Sequence, residues 1–466
     1  MNRSIVFLCL RRATRLRDTD RASNYSRLIL RAPLLFALSL ALPLSASDVE
    51  WPRHGLNAEE TRFSSLEQIN ESTVGTLGLA WSFPMGTRRG LEASPIMVDR
   101  TLYVSSAWSK VYALDAVSGA LKWFFDPQVP KAWGANACCD VVNRGVAVAG
   151  DTVFVGTLDG YLVALDRETG ALKWRVLTID PEKPYTITGA PLFVDGKVIT
   201  GFAGAEYGVR GMLRAFNASD GAPLWTFHTV PAPGERGAET WPADSDAWRR
   251  GGATVWHTPA VDPELGLLYF ATGNPGPDFN GAVRAGDNLY SVSIVALNLA
   301  DGSYRWHFQQ VHHDIWDYDA ANPVVLFDLN HEGKLRKALA QAGKTGWVYI
   351  LDRTSGTPLL GIDEVPVPQE PRQLTAATQP QPVGDAFVPQ AMEMPLYGYD
   401  FANQGKIFTP YFDRALPIKP SSFGAAVWAP SSYDPGSHTL FICAMDLIGL
   451  LDRKSTRLNS SHQIIS

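Results

Sequence analysis

Between residues 101 and 352 the chain alternates short apolar runs with polar, glycine-containing breaks, the period-2 pattern of half-buried strands. Five segments share one template: VYALDAVSGALKWFF from Val111, YLVALDRETGALKWRV from Tyr161, LRAFNASDGAPLWTF from Leu213, IVALNLADGSYRWHF from Ile294 and VYILDRTSGTPL from Val348. In each, an apolar strand ends in Asp or Asn and Gly follows four residues later; in four of the five, Trp stands four beyond that. The template reads as a β-hairpin, with Asp/Asn and Gly supplying the turn. Its markers Asp115, Asp166, Asn217, Asn298 and Asp352 are 51, 51, 81 and 54 residues apart, so one interval carries a long insertion. Further strand-like runs such as TLYVSS, DTVFVGT and LLYFATG fill the spaces. A repeat of this length, with several short strands and a recurring Trp, predicts the blades of an all-β propeller, with the Trp packed between neighbouring blades. Helical periodicity is nearly absent, and residues 231–248 and 366–389 are where helical insertions have room.

Composition supports a globular chain: of 466 residues 45% are hydrophobic and 19% charged. The length would suit about three ordinary domains, but propellers run long as single units. Charge is distributed unevenly. The formal net charge of −6 averages a basic start, a slightly basic end and a body, residues 48–451, with 30 basic and 44 acidic residues. An acidic body without a Lys/Arg-rich run excludes a nucleic-acid partner. Residues 1–47 combine eight Arg with the uncharged stretch APLLFALSLALPLSAS, which reads as a signal segment and predicts export to the periplasm, with a membrane anchor as the alternative. Residues 452–466, DRKSTRLNSSHQIIS, are polar and unrelated to the repeat; they resemble a translated sequencing-adapter tail, which would leave the propeller of residues 48–451 incomplete at its C-terminus.

Several residues are not explained by strand packing. Cys138 and Cys139 are adjacent; in an exported protein this predicts a disulfide between neighbours, with two buried thiols or a metal half-site as alternatives. Cys443 reads as a buried strand thiol. No C-x-x-C-H is present, so c-type haem has no attachment motif in this chain. In VHHDIWDYDAANP an extended strand would put Asp317 and Asp319 on one face, where a hard cation would relieve their repulsion; a solvated acidic turn is the alternative. His312 and His313 read as structural hydrogen-bonding residues. Glu206 lies among glycines in FAGAEYGVRG, and Asn274 directly follows a strand end in FATGNPGPDFNG.

Taken in order, GLEASP, CCDVVNRG, GAEYGVRG, GGATVWHTP, ATGNPGP, HDIWDYD and KTGWVYILDR resemble the pyrroloquinoline quinone (PQQ)-dependent alcohol dehydrogenases, the methanol- and ethanol-dehydrogenase-like quinoproteins, from about residue 51 to 451. The resemblance implies an eight-bladed propeller with PQQ and one metal ion in its central channel. Glu92, Arg144, Thr188, Gly204 and Ala205 would hold the quinone's carboxylates and carbonyls. Trp256 would stack on one face of its ring, and the Cys138–Cys139 pair would cover the other. Lys344 would lie beside the reactive carbonyl oxygen. Glu206, Asn274 and Asp317 match the metal positions, and Asp317 also matches the catalytic base. Asp319, two residues on, favours a lanthanide(III) ion over the calcium alternative, because an added carboxylate balances a third positive charge. Ala203 and Val427 depart from the pattern and would remove one quinone hydrogen bond. The implied activity is oxidation of a primary or small alcohol to the aldehyde by hydride transfer to PQQ, with electrons passing to a cytochrome c or a haem domain. A quinoprotein acting on sugars or polyols and a non-catalytic propeller scaffold are the alternatives.

Overall fold

The computed structural model describes residues 50–393 and 403–451, and among these the chain forms strands and short 3-10 turns with no α-helix. The predicted signal segment and tail lie outside the described residues. No helix of the described residues is long and apolar enough to cross a membrane.

Four sheets repeat one plan: β1 (Ile96–Val98), β2 (Thr101–Ser106), β3 (Lys110–Asp115) and β4 (Leu121–Phe125); β5 (Ala147–Ala149), β6 (Thr152–Gly156), β7 (Tyr161–Asp166) and β8 (Leu172–Leu177); β9 (Leu192–Val194), β10 (Lys197–Gly201), β11 (Met212–Asn217) and β12 (Pro223–His228); β13 (Ala260–Asp262), β14 (Leu267–Ala271), β15 (Ser293–Asn298) and β16 (Tyr304–Gln309). Within each sheet, consecutive strands pair antiparallel. A fifth sheet has three strands, β17 (Val325–His331), β18 (Lys334–Ala342) and β19 (Val348–Asp352). Two-stranded pairs follow, among them β20 (Ile362–Pro366) with β21 (Thr378–Pro382). The all-β blade plan therefore holds, while the number eight rests on the resemblance alone. The insertions are built from 3-10 turns, Ala238–Thr240, Ala247–Arg250 and Pro371–Gln373, rather than from helices. Proline and glycine interrupt both segments too often for a helix to propagate.

The repeated template forms the contact between blades. The Oδ1 atom of Asp115 accepts the backbone N–H groups of Val117 and Ser118, Asp166 does the same for Glu168 and Thr169, and Asp352 accepts from Thr354. The glycine that closes each turn has φ near +70°. Onto that glycine packs the Trp of the preceding repeat. A Cβ at Gly170 would stand 2.7 Å from Trp123, one at Gly221 3.0 Å from Trp174, and one at Gly356 2.5 Å from Trp306. The indole N–H groups of Trp123, Trp174 and Trp306 then donate to the carbonyls of Arg167, Ala218 and Arg353, the residues just after each marker. Between these points the facing strands share continuous cores, such as Val111 and Ala113 of β3 with Val153, Val155 and Val163 of the next sheet.

Antiparallel pairing sorts the connections into two sets. Template turns link odd to even strands at one end of the sheets, whereas connections from even to odd strands emerge at the other. A segment at the chain start also ties distant sheets together. Its carbonyls at Ala58, Glu59 and Thr61 accept from Val261, Leu326 and Tyr433.

Candidate active site

A cavity of about 530 Å³ opens where the even-to-odd connections converge. Eleven of the thirteen positions carried over from the resemblance line it, each drawn from such a connection or, for Glu92, from the approach to β1. Ala205 and Asn274 do not reach its wall; both are buried just behind it.

On one side, Arg144 is held in place from several directions. Its backbone N–H donates to the Thr188 carbonyl at 2.9 Å, and Nη1 donates to Thr188 Oγ1 at 2.9 Å. Nη2 pairs with Glu92 at 2.8 Å, and the guanidinium lies 4.8 Å from the centre of the Trp256 ring. Burial pushes Glu92 above the usual carboxylate range against the pull of Arg144. An arginine and a hydroxyl beside an aromatic face form a cradle suited to a flat ligand that carries carboxylates. Gly204, at φ +122°, precedes the turn Ala205–Tyr207 that presents Glu206; a Cβ there would lie 2.7 Å from the Pro184 carbonyl.

On the other side, acids dominate. Lys344 Nζ stands 3.1 Å from Asp317 and 3.2 Å from Asp319, and donates to the Asp317 carbonyl at 2.8 Å. Burial opposes the charge on Lys344, but the two carboxylates outweigh it and hold the ammonium above its ordinary range. One ammonium cannot neutralise two buried acids, and burial lifts Asp317 well above the usual carboxylate range. Glu206 is pushed up to about 8 by burial, with the charges of Asp278, Cys139 and Asp319 adding to it. Among the described residues no three His, Cys, Asp or Glu side chains are gathered as a ligand group for a metal. The donor set is nevertheless all oxygen and short of positive charge, which fits a hard cation.

The sulfurs of Cys138 and Cys139 lie 2.6 Å apart in the cavity wall, beyond the length of about 2.05 Å expected for a disulfide bond. The hydrogen bond between them and then burial raise the Cys138 thiol well above its ordinary range. Cys443 is neither buried nor in a strand, contrary to expectation, because residues 442–448 find no strand partner.

The residues around Asp317 are a turn and not the expected strand. Asp314 accepts the backbone N–H groups of Trp316 and Tyr318, both at 2.9 Å, and Asp317 adopts φ +63°. Trp316 and Tyr318 are buried in the core, donating to the carbonyls of Thr409 and Pro420, while the alternate residues Asp317 and Asp319 reach Lys344. Both acids are buried, so the solvated-turn alternative fails. His313 bridges the carbonyls of Gly286 and Gln373 at 2.7 Å each, and His312 meets Gln309 and Glu364, as expected of structural histidines.

Sequence reasoning passed over Asp278, Gly424 and Trp428. Asp278 is a buried acid accepting from the Asn274 carboxamide at 2.8 Å. Gly424, at φ +78°, lies so close to Lys344 that a Cβ there would stand 2.2 Å from Lys344 Cγ. Trp428 lines the cavity and faces Arg144 at 6.0 Å. The departures Ala203 and Val427 also line the wall.

An arginine–aromatic cradle facing an acid-rich pocket is the arrangement that the resemblance to quinoproteins implies. Residues 51–463 match the PQQ family described as "Glucose/ethanol/alcohol dehydrogenase, beta-propeller domain", and the chain belongs to that family. It is 42% identical over 413 residues to the quinohemoprotein alcohol dehydrogenase ADH IIB of Pseudomonas putida, covering 86% of this chain and 56% of that one. The crystal structure of quinohemoprotein alcohol dehydrogenase from Comamonas testosteroni superimposes with a TM-score of 0.71 at 38% identity, covering 83% of this chain and 56% of that one. A europium-containing methanol dehydrogenase gives 0.70 at 33%, covering 84% and 68%. The chain thus spans little more than half the length of the first curated relatives, 56% and 58%.

Proposed function

We propose that this chain is the catalytic propeller of an exported, PQQ- and metal-dependent dehydrogenase that oxidises a primary or small alcohol to the aldehyde. The observation carrying this reading is the cavity itself, which joins the Arg144–Thr188–Trp256 cradle to the Asp317–Lys344–Asp319 cluster. When bound, PQQ supplies a two-electron acceptor for the hydride of the alcohol carbon, and the metal ion supplies a Lewis acid beside it. Arg144 and Thr188 bind ligand carboxylates, and Trp256 offers an aromatic face. Asp317 takes the hydroxyl proton at a carboxylate oxygen; burial has raised its proton affinity, as suits a base. Lys344 aims Asp317 and stabilises negative charge that develops nearby. Glu206, Asn274, Asp317 and Asp319 are the positions for the metal, with lanthanide(III) favoured over calcium by the excess of carboxylates over ammonium. The Cys138–Cys139 pair would close to a disulfide on export, and a cytochrome c or a haem domain would accept the electrons.

The test is reconstitution with PQQ and lanthanum or calcium, followed by assay on alcohol and sugar panels with an artificial acceptor. Asp317→Asn should keep PQQ affinity and lose about 10²–10⁴-fold in turnover. A variant as active as the parent overturns the assignment of the base, and activity confined to sugars overturns the alcohol reading.

A further inference from the structure

Asn274 is the proposed metal position whose donor atom depends on orientation, because its carboxamide carries an oxygen on one side and two N–H groups on the other. The structure engages the nitrogen end twice: Nδ2 donates to Asp278 Oδ1 at 2.8 Å and to the Pro275 carbonyl at 3.2 Å. Both partners accept only, so neither tolerates the amide oxygen in that place. Asp278 is itself buried and well anchored. The fully buried Arg284 donates to the carbonyls of Asp278 at 3.2 Å and Pro277 at 3.1 Å, to Asn288 Oδ1 at 2.7 Å, and to the carbonyl of Asp314 in the turn that carries Asp317. The backbone N–H of Asn274 donates to Asp319, so main chain and side chain are fixed separately.

We propose that Asp278 is a positioning residue: it holds the Asn274 carboxamide with its oxygen directed to the cation and adds a further negative charge, outside the ligand set, that favours a trivalent over a divalent ion. The inference rests on the metal reading above. Asp278 does not touch the cation on this account. It acts as carboxylates behind metal-bound side chains commonly do, by orienting a ligand and raising its basicity. Arg284 extends the same arrangement by binding the Asp278 and Asp314 loops together.

The test is equilibrium dialysis of the PQQ-loaded chain against lanthanum(III) and, separately, calcium(II), with bound metal measured by mass spectrometry. Asp278→Asn should weaken lanthanum binding by about 10–100-fold and calcium binding by less. Asp278→Glu, which keeps both the acceptor and the charge, should recover most of the loss; Asp278→Ala, which removes both, serves if the Asn variant fails to fold and should lose at least as much lanthanum affinity. In an Asn274→Ala background the loss from Asp278→Asn should shrink to the part its charge contributes, because the residue it orients is gone. Unchanged lanthanum affinity in Asp278→Asn, or losses that simply add in the double variant, would overturn the proposal. A parent chain that binds neither ion overturns the metal reading and this proposal with it.

Discussion

Asp317 and Asp319 were legible as a pair because two acids interrupt an otherwise apolar, aromatic run, and such residues seldom go inside without a task. The geometry inferred for them was wrong: Asp314 folds the segment into a turn, yet alternation still sends Trp316 and Tyr318 inward and both acids to Lys344. Asp278 was invisible for the opposite reason. After Asn-Pro-Gly-Pro an Asp is ordinary turn chemistry, and only the burial of that loop against Arg284 gives it another meaning. His257, next to Trp256, shows how residues supporting the site respond to pH. It is buried and bonded to the Ala271 carbonyl at 2.9 Å, and burial pushes its pKa down to about 4. An unfolded histidine titrates near 6.5. Between those values the unfolded chain holds the extra proton and the folded chain does not, so this contribution to stability is complete above the window and is lost as pH falls through it. In His257→Asn, chemical denaturation at pH 6.5 and 4.5 should show about 2 kcal/mol less acid-induced loss than in the parent.

Among elements, the template hairpin was the most readable unit because its requirements are local. A side chain that accepts from the turn, a glycine at positive φ and a Trp at fixed spacing together name both the hairpin and its packing partner. The site connections were less readable, since their shape depends on contacts with segments far away in the chain, as in Asn322 binding the carbonyls of Val427 and Ala429. The tryptophan contact can be separated from the turn. Gly150 and Gly170 both have positive φ, but a Cβ at Gly150 meets nothing within 4 Å, whereas one at Gly170 meets Trp123 at 2.7 Å. Gly150→Ala should cost about 1–2 kcal/mol, the backbone term alone. Gly170→Ala should cost about 3 kcal/mol or more, because the indole must also move. Urea unfolding of the two variants measures the difference, and equal losses would remove the packing argument.

For the whole molecule, the acidic body and the cation reading give one further expectation. If lanthanum and PQQ bind the folded chain alone, a free lanthanum concentration 100 times its dissociation constant should add about 2.7 kcal/mol of stability, and chelation should remove it. Thermal unfolding with and without a chelator reads this directly, and an unchanged midpoint would count against the site. The all-β blade plan was visible from the repeat, while the number of blades was not, because the later sheets lack the full template. The two ends of the sheets also have separate duties: tryptophan and glycine keep neighbours in register at one, and the site residues drawn from the even-to-odd connections are presented at the other. In evolutionary terms, loops over the cavity can therefore lengthen, shorten or recombine without disturbing the contacts that set the blades side by side. A lineage can equally harden the template end against heat while the chemistry at the cavity stays as it was.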